Sequence, residues 1–163
     1  AHASLRDMLL FQEPFLLYAR QDHALAQQSD IHANQLNPAE MWILNQGHCF
    51  RNQVLNVCEM RNKPSERHYI YETGSIETLK RMVENGGGYT LVPELAVQPD
   101  RLKDEIVTRR FSSPEPVREV ILATHHSYAR DLFVKNLATS ILNSLPADLQ
   151  SDGEKRTISI QEN

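Results

Sequence analysis

The sequence predicts an α/β domain with a mixed sheet. Between Met41 and Phe111, short runs of β-branched and aromatic residues alternate with segments of helical spacing, the pattern of strands separated by helices. The 163 residues suffice for one domain with a core or for two small lobes. Hydrophobic residues make up 40% of the chain and charged residues 23%, as in ordinary globular proteins.

The N-terminal residues predict extended chain interrupted by a proline. Leu9–Phe11 and Phe15–Ala19 are apolar runs, and Pro14 separates them. Proline donates no backbone hydrogen bond, so sheets accept it at an edge or at a strand start and not within a central strand. We therefore expect two extended segments here and not one continuous strand.

Two short turns and a strand follow. Residues 22–28 suit a helical turn, with His23 at the protein surface. Asn37 and Pro38 predict the start of a one-turn helix, because asparagine caps helix N-termini and proline fits the first helical position. Residues 41–44 form an apolar run with a β-branched and an aromatic residue, which indicates a short buried strand.

A strand–helix–strand unit is predicted between residues 68 and 92. Residues 68–73 alternate and predict a strand. Ser75 then opens a helix as its N-cap, and apolar residues recur at helical spacing until the glycines at 86–88 end it. Tyr89–Val92 predicts the next strand. We discount a phosphate-binding loop, because these glycines follow a helix and lead into a strand without a Lys-Ser/Thr pair.

The C-terminal third predicts two strands and one helix. Ile106–Phe111 and Val117–Thr124 are the candidate strands. An apolar stripe predicts a helix over Ala129–Leu145, and such a stripe packs in a core more often than at an interface. The stripe consists of Leu132, Phe133, Leu137, Ile141, Leu142 and Leu145. Residues 146–163 are polar and are expected to form a frayed tail.

Composition narrows the classes of function. The net charge of −4 argues against nucleic-acid binding by this chain alone, since that needs a basic face. No apolar run approaches the roughly 18–20 residues of a membrane span. No signal peptide is expected, because Arg6 and Asp7 interrupt the early apolar run. The two cysteines suit a reducing cytoplasm, although their number alone is also compatible with an extracellular disulfide.

The most informative stretch is residues 46–58, which contain both cysteines of the chain. Gly47 and its polar neighbours break the preceding apolar run, and the apolar residues after it recur at helical spacing. Cys49 is thus predicted in the first turn of a helix and Cys58 near its end.

These positions make the two thiols chemically different. A thiol near a helix N-terminus is shifted toward thiolate by the peptide dipole, and His48 and Arg51 could add positive charge near Cys49. The thiolate is the form that attacks an oxidant. Cys49 is therefore a better candidate nucleophile than Cys58.

The spacing of the cysteines predicts a switch if they bond at all. Nine helical residues rise ~13.5 Å and place the two side chains on opposite faces. A disulfide needs Cα atoms roughly 4.4–6.8 Å apart, so the helix would have to unwind. The gap matches no compact zinc site. The alternative is that both are inert, buried apolar residues, as most free cysteines are.

Three stretches resemble the LysR-type transcriptional regulators. In order they are residues 47–53 followed by Cys58, residues 74–83 and residues 86–97, and the likeness runs from about residue 10 to about residue 145. The last two are shared by many LysR-type effector domains, whereas the paired cysteines are typical of the family's hydrogen-peroxide sensors. The resemblance implies a periplasmic-binding-protein-like effector domain, with two lobes joined by two crossing strands.

The resemblance also assigns the chain to lobes. Residues 1–20 and 118–145 become parts of lobe I, residues 21–117 become lobe II with the cysteines, and residues 146–163 remain the polar tail. The DNA-binding domain and the first half of lobe I are expected outside this chain. Any peroxide-pocket residues of that half are expected there too.

The implied function is redox sensing by a transcription factor and not catalysis. Cys49 would be oxidised by hydrogen peroxide and form a disulfide with Cys58. His48 and Arg51 would hold the thiolate and orient peroxide, unless they are only solvated helix-surface residues. No cofactor, metal or membrane is implied.

The implied partners belong to the full-length protein in a bacterial cytoplasm. They are a second copy in a dimer or tetramer, DNA, RNA polymerase and a thiol reductant such as glutaredoxin. Part of the apolar stripe of the last helix, including Phe133 and Leu137, is expected to contact the second copy.

Two other functions stay open. One is a LysR-type effector domain that binds a metabolite between its lobes and has inert cysteines. The other is a thiol peroxidase, which needs a fast recycling partner; the cost of reshaping a helix at each turnover argues against it.

Overall fold

The computed structural model describes residues 5–44, 52–54, 57, 69–71, 75–128, 130–149 and 155–157. In this part of the chain the strands are β1 (Leu5–Arg20), β2 (Trp42–Leu44), β3 (Tyr69–Tyr71), β4 (Tyr89–Pro93), β5 (Ile106–Arg109), β6 (Glu115–His125) and β7 (Lys155–Thr157). The α-helices are α1 (Ile76–Gly86) and α2 (Asp131–Asn143). β2 and β3 pair in parallel, whereas β1 is antiparallel to β4, β5 and β6. The predicted α/β class with mixed pairing is confirmed.

The longest element, β1, runs through Pro14 without a break. Its pairing with β6 ends at Pro14, opposite Val117, and its pairing with β4 begins at Phe15, opposite Pro93. The prediction of two separate segments is therefore wrong. Pro14 is tolerated because it lies where β1 exchanges one neighbour for two others, so its missing donor interrupts no continuous ladder.

The second half of β1 forms the centre of the core. Phe15, Leu17 and Ala19 are fully buried on one face, in a cluster that also contains Ile43 of β2 and Leu79 of α1. The other face belongs to a second cluster, which consists of Leu16, Tyr18, Val83, Val92 and Ile106. The alternation of β1 therefore buries both faces of the sheet at this point.

The glycines after α1 hold β2 in place. The Gly87 N–H donates to the Val83 carbonyl at 3.1 Å and ends the helix, and the indole of Trp42 donates to the Gly87 carbonyl at 2.8 Å. Gly87 and Gly88 have φ of 73° and 72°, which favours glycine. A Cβ on Gly88 would lie 2.4 Å from the Glu40 carbonyl oxygen. The predicted glycine stop is confirmed, and it also fixes the entry to β2.

Helix α2 differs from its prediction in what it buries. Val134 and Ala138 are buried, whereas Leu132 is 73% and Phe133 56% exposed. The expectation of a core-facing stripe is thus wrong for Leu132, whereas Ile141, Leu142 and Leu145 of the stripe are partly buried. The exposure of Phe133 agrees with the expectation that part of the stripe is accessible to a second copy. Contact with a second copy stays a prediction.

Two further expectations are corrected. The side chain of His23 is only 14% exposed; its Nε2 lies 3.4 Å from an oxygen of Glu40, and its ring packs edge-on against Tyr89. It is therefore not a surface residue. In the predicted frayed tail, Leu149 is buried and residues 155–157 pair with β6.

The remaining elements agree with their predictions within a few residues. Asn37 caps the short helix Pro38–Glu40 by accepting the Ala39 N–H at 3.1 Å. No helix in the described part of the chain is long and apolar enough to cross a membrane.

Candidate redox site

The four predicted site residues, Cys49, Cys58, His48 and Arg51, lie outside the residues that the structure describes. The roles and distances proposed for them therefore stay predictions. The structure does describe strand β2, which precedes the cysteine segment. It also describes three residues between the cysteines that bear on the chemistry: Gln53, Val54 and Val57.

The stretch between the cysteines is anchored in the core. Asn52–Val54 and Val57 are helical, which agrees with the predicted helical spacing. Val54 and Val57 are 3% and 4% exposed and belong to the same cluster as Ile43 of β2. Any rearrangement that carries these two valines out of the core has to expose them to water.

Gln53 was not predicted as a site residue, yet it is the most unusual side chain among the described residues of this stretch. It is 8% exposed, and its Oε1 has no hydrogen-bond partner in the described protein. A buried, unsatisfied amide oxygen costs roughly 1–3 kcal/mol. Residues four apart share a helix face, so its position four residues after Cys49 is the signal that could have identified it from sequence.

The strand that leads into this stretch is held rigidly. β2 ends at Leu44, and the Thr90 hydroxyl of β4 donates to the Trp42 carbonyl at 2.9 Å. Thr90 is buried, and a β-bridge joins Met41 to Tyr89. β2 is therefore tied to β4 immediately before the cysteine segment begins.

Two of the described pKa shifts belong to Tyr18 and Glu84. Burial, and then its hydrogen bond to Glu84 at 2.9 Å, raise the pKa of Tyr18. Burial would raise the pKa of Glu84 as well, but hydrogen bonds from Lys103 and Tyr18 outweigh it and hold that pKa below its usual value. Tyr18 and Glu84 thus form a satisfied structural network, with the tyrosine neutral and the glutamate ionised near neutral pH.

No metal site is evident in the described ranges, since they contain no group of three or more His, Cys, Asp or Glu residues that could hold an ion. Cys49, Cys58 and His48 lie outside these ranges.

Comparison with known sequences gives the family. The sequence model of the LysR substrate binding domain family matches residues 1–146 of this chain. The hydrogen peroxide-inducible genes activator of Haemophilus influenzae is 38% identical over 113 residues, 69% of this chain and 37% of that protein. The DNA-binding transcriptional dual regulator OxyR of Escherichia coli K12 is 36% identical over 111 residues, 68% of this chain and 36% of that protein. The chain thus spans little more than a third of these relatives.

Solved structures give the fold. The reduced OxyR regulatory domain of Pseudomonas aeruginosa is 35% identical with a TM-score of 0.73, over 86% of this chain and 67% of that one. OxyR from Porphyromonas gingivalis is 34% identical with a TM-score of 0.76, over 96% and 71%. The predicted periplasmic-binding-protein-like effector fold is confirmed, and the chain belongs to the LysR substrate-binding domain family, where it is similar to the regulatory domains of OxyR proteins.

Proposed function

We propose that this chain is the redox-sensing regulatory domain of a LysR-type transcription factor that responds to hydrogen peroxide. The observation that carries the proposal is the likeness to OxyR regulatory domains, in a chain whose family match includes the paired-cysteine segment. The core-anchored helical residues between the cysteines support it, because they supply a structured segment that a disulfide would have to rearrange.

The proposed reaction consumes one peroxide and two thiols. The Cys49 thiolate attacks one peroxide oxygen, the O–O bond breaks, and the leaving hydroxide takes up a proton to become water. Cys49 is then a sulfenic acid. Cys58 attacks its sulfur, a disulfide forms, and a second water leaves. The two cysteines have lost two electrons, which a cellular thiol reductant such as glutaredoxin restores.

Gln53 joins His48 and Arg51 among the residues proposed to act on peroxide. An acceptor oxygen without a partner, four residues after Cys49 in the sequence, is suited to receive the O–H of a bound peroxide. His48 and Arg51 are proposed to stabilise the thiolate. Gln53 would orient the oxidant, and it would not take part in electron transfer.

The rest of the proposal concerns the full-length protein. Disulfide formation would reshape the cysteine segment, and the oligomer would pass the change to its DNA-binding domains and to RNA polymerase. These partners, like the bacterial cytoplasm as location, are proposed from the relatives that are named transcriptional regulators. The role is regulatory and not catalytic.

The test uses the full-length protein and one equivalent of peroxide. Intact mass is expected to show a disulfide in the parent protein, no oxidation product in Cys49→Ser, and a trappable sulfenic acid in Cys58→Ser. A parent without a disulfide would favour a metabolite-binding domain with inert cysteines. Steady consumption of many peroxide equivalents with a thiol reductant would favour a thiol peroxidase.

A further inference from the structure

A cluster of ion pairs lies where the crossing strands meet the end of β4. Glu13 of β1 is fully buried. One of its oxygens accepts the Leu95 N–H at 2.8 Å, and the other accepts the Nε and Nη2 of Arg118 at 2.8 and 2.7 Å. Glu13 thus joins Leu95, the second residue after β4, to the neighbouring crossing strand, β6.

Arg110 makes a second connection between the same elements. Its guanidinium pairs with Glu94, directly after β4, and lies 3.2 Å from Glu115, at the start of β6. We refer to Glu13, Glu94, Arg110, Glu115 and Arg118 as the crossing clamp. Both connections join the two residues after β4 to the strands that cross between the lobes.

The position of the clamp matters more than its contribution to stability. Among the clamp residues Glu13 is fully buried, so losing Arg118 would leave its charge uncompensated, and this favours one geometry. Arg110 is 43% exposed, and its ion pairs are worth less. Glu13 lies one residue before Pro14, where β1 ends its pairing with β6. The clamp therefore sets how β4 is held against β1 and β6 at the point where the sheets separate.

A continuous set of contacts leads from the cysteine segment to this clamp. The segment follows β2, and β2 is bonded to β4 through the Thr90 hydroxyl and the Met41–Tyr89 bridge. β4 ends at Pro93, and the next two residues enter the clamp. A displacement of β2 is thus passed to β4, from there to Glu94 and Leu95, and from these two residues to the crossing strands β1 and β6.

We propose that the crossing clamp transmits the rearrangement of the cysteine segment to the crossing strands, and so to the oligomer. This rests on the proposed function. Contact between neighbouring residues does not by itself show that they couple two sites. Coupling is shown when variants of these residues change the response to peroxide, so the clamp has to be tested by mutation.

The test compares adjacent arginines in the full-length protein. Arg110→Gln removes a clamp cation, and Glu13→Gln removes the buried carboxylate. Arg109→Gln is the control: it loses the same charge one residue away, but its described hydrogen bonds go to the carbonyls of Ala26 and Thr108. Two quantities are measured after peroxide: the disulfide fraction by mass, and the change in affinity for operator DNA by footprint titration.

We expect all three variants to form the disulfide like the parent and to bind DNA like the parent when reduced. The peroxide-dependent change in DNA affinity should fall about two- to thirtyfold in Glu13→Gln and Arg110→Gln, and stay unchanged in Arg109→Gln. A parental response in both clamp variants would overturn the proposal, as would an equal loss in Arg109→Gln.

Two further measurements, the thermal unfolding of Glu13→Gln and the disulfide fraction of the parent protein, show whether a negative result comes from misfolding or from failure of the proposed function. If Glu13→Gln does not fold, as judged by its thermal unfolding, the half-exposed Arg110 alone decides the outcome. If the parent forms no disulfide at all, the proposed function fails, and the clamp proposal falls with it for that separate reason.

Discussion

Shortening one core valine should make the proposed disulfide harder to reduce. Val54 is 3% exposed in the structure. We expect it to be buried in the reduced protein and to enter water when the disulfide forms. Val54→Ala removes two buried methyl groups, worth about 1.6 kcal/mol at about 0.8 kcal/mol each. The loss falls on the state in which the side chain is buried, so the reduced protein is destabilised and the oxidised protein is not.

The size of the effect follows from the two-electron couple. At about 30 mV for each 1.4 kcal/mol, the reduction potential of Val54→Ala should be lower than that of the parent by about 35 mV. Redox titration against a thiol–disulfide buffer, with the disulfide fraction read by mass, measures this shift. A second change, Val57→Ala, should lower the potential by a similar amount.

Val83→Ala is the matched control. Val83 is a fully buried valine of α1, a helix that we expect to be the same in both redox states. Its truncation should lower the stability of the reduced and oxidised proteins equally and leave the potential unchanged. Equal shifts in Val54→Ala and Val83→Ala, or no shift in either, would refute the idea that the valines between the cysteines leave the core.

Three more predictions can be tested separately. Oxidation should remove amide hydrogen-exchange protection from residues 47–58 and leave that of residues 74–85 intact; unchanged exchange over 47–58 would contradict a switch. Gly88→Ala should destabilise the protein in urea by about 2–5 kcal/mol, because a Cβ meets the Glu40 carbonyl at 2.4 Å and a positive φ adds strain; Gly87→Ala, with no atom within 4 Å of its Cβ, should cost only the strain. Glu84 has a lowered pKa, so its stabilisation is present above the usual glutamate pKa of about 4.3 and is lost as pH falls through the folded value; the stability deficit of Glu84→Gln should therefore shrink in acid, and a deficit independent of pH would contradict this.

The features that sequence predicted correctly are those with local signals. Alternation and helical spacing are properties of a few neighbouring residues, and so is the glycine stop after α1, where a positive φ is required at Gly87. The elements between Met41 and Phe111 could therefore be placed within a few residues. The cysteine spacing is a local signal too, because the helix rise between two positions depends only on their separation, but what it predicts for Cys49 and Cys58 stays a prediction.

The features that were missed depend on distant residues. Pro14 was read as a break because its tolerance comes from the exchange of β6 for β4 and β5, and no neighbouring residue signals that exchange. Glu13 and Arg118 are separated by 105 positions in the chain, so their pairing has no local pattern. His23 was placed at the surface because its partner Tyr89 is equally remote. Gln53 is the exception, since its separation of four residues from Cys49, on one face of the predicted helix, was visible in the sequence.

The burial of Val54 and Val57 also limits how large a rearrangement can accompany formation of the proposed disulfide. Exposing both costs roughly 3–6 kcal/mol, at about 1.5–3 kcal/mol each, which approaches the roughly 5–15 kcal/mol that stabilises a whole domain. The domain can tolerate a local rearrangement at this cost. A rearrangement that also broke the hydrogen bond between Thr90 and Trp42 and disrupted the core around β1 would unfold the lobe.

The same cost raises the reduction potential above that of an unstrained disulfide. At about 30 mV for each 1.4 kcal/mol, 3–6 kcal/mol corresponds to roughly 65–130 mV. Structural disulfides have potentials below about −300 mV. Raised from about −300 mV by this amount, the proposed disulfide is expected near −235 to −170 mV, where the cytosolic glutathione pool can reduce it. A measured potential below −300 mV would mean that the valines stay buried on oxidation, and the two cysteines would then form a staple and not a switch.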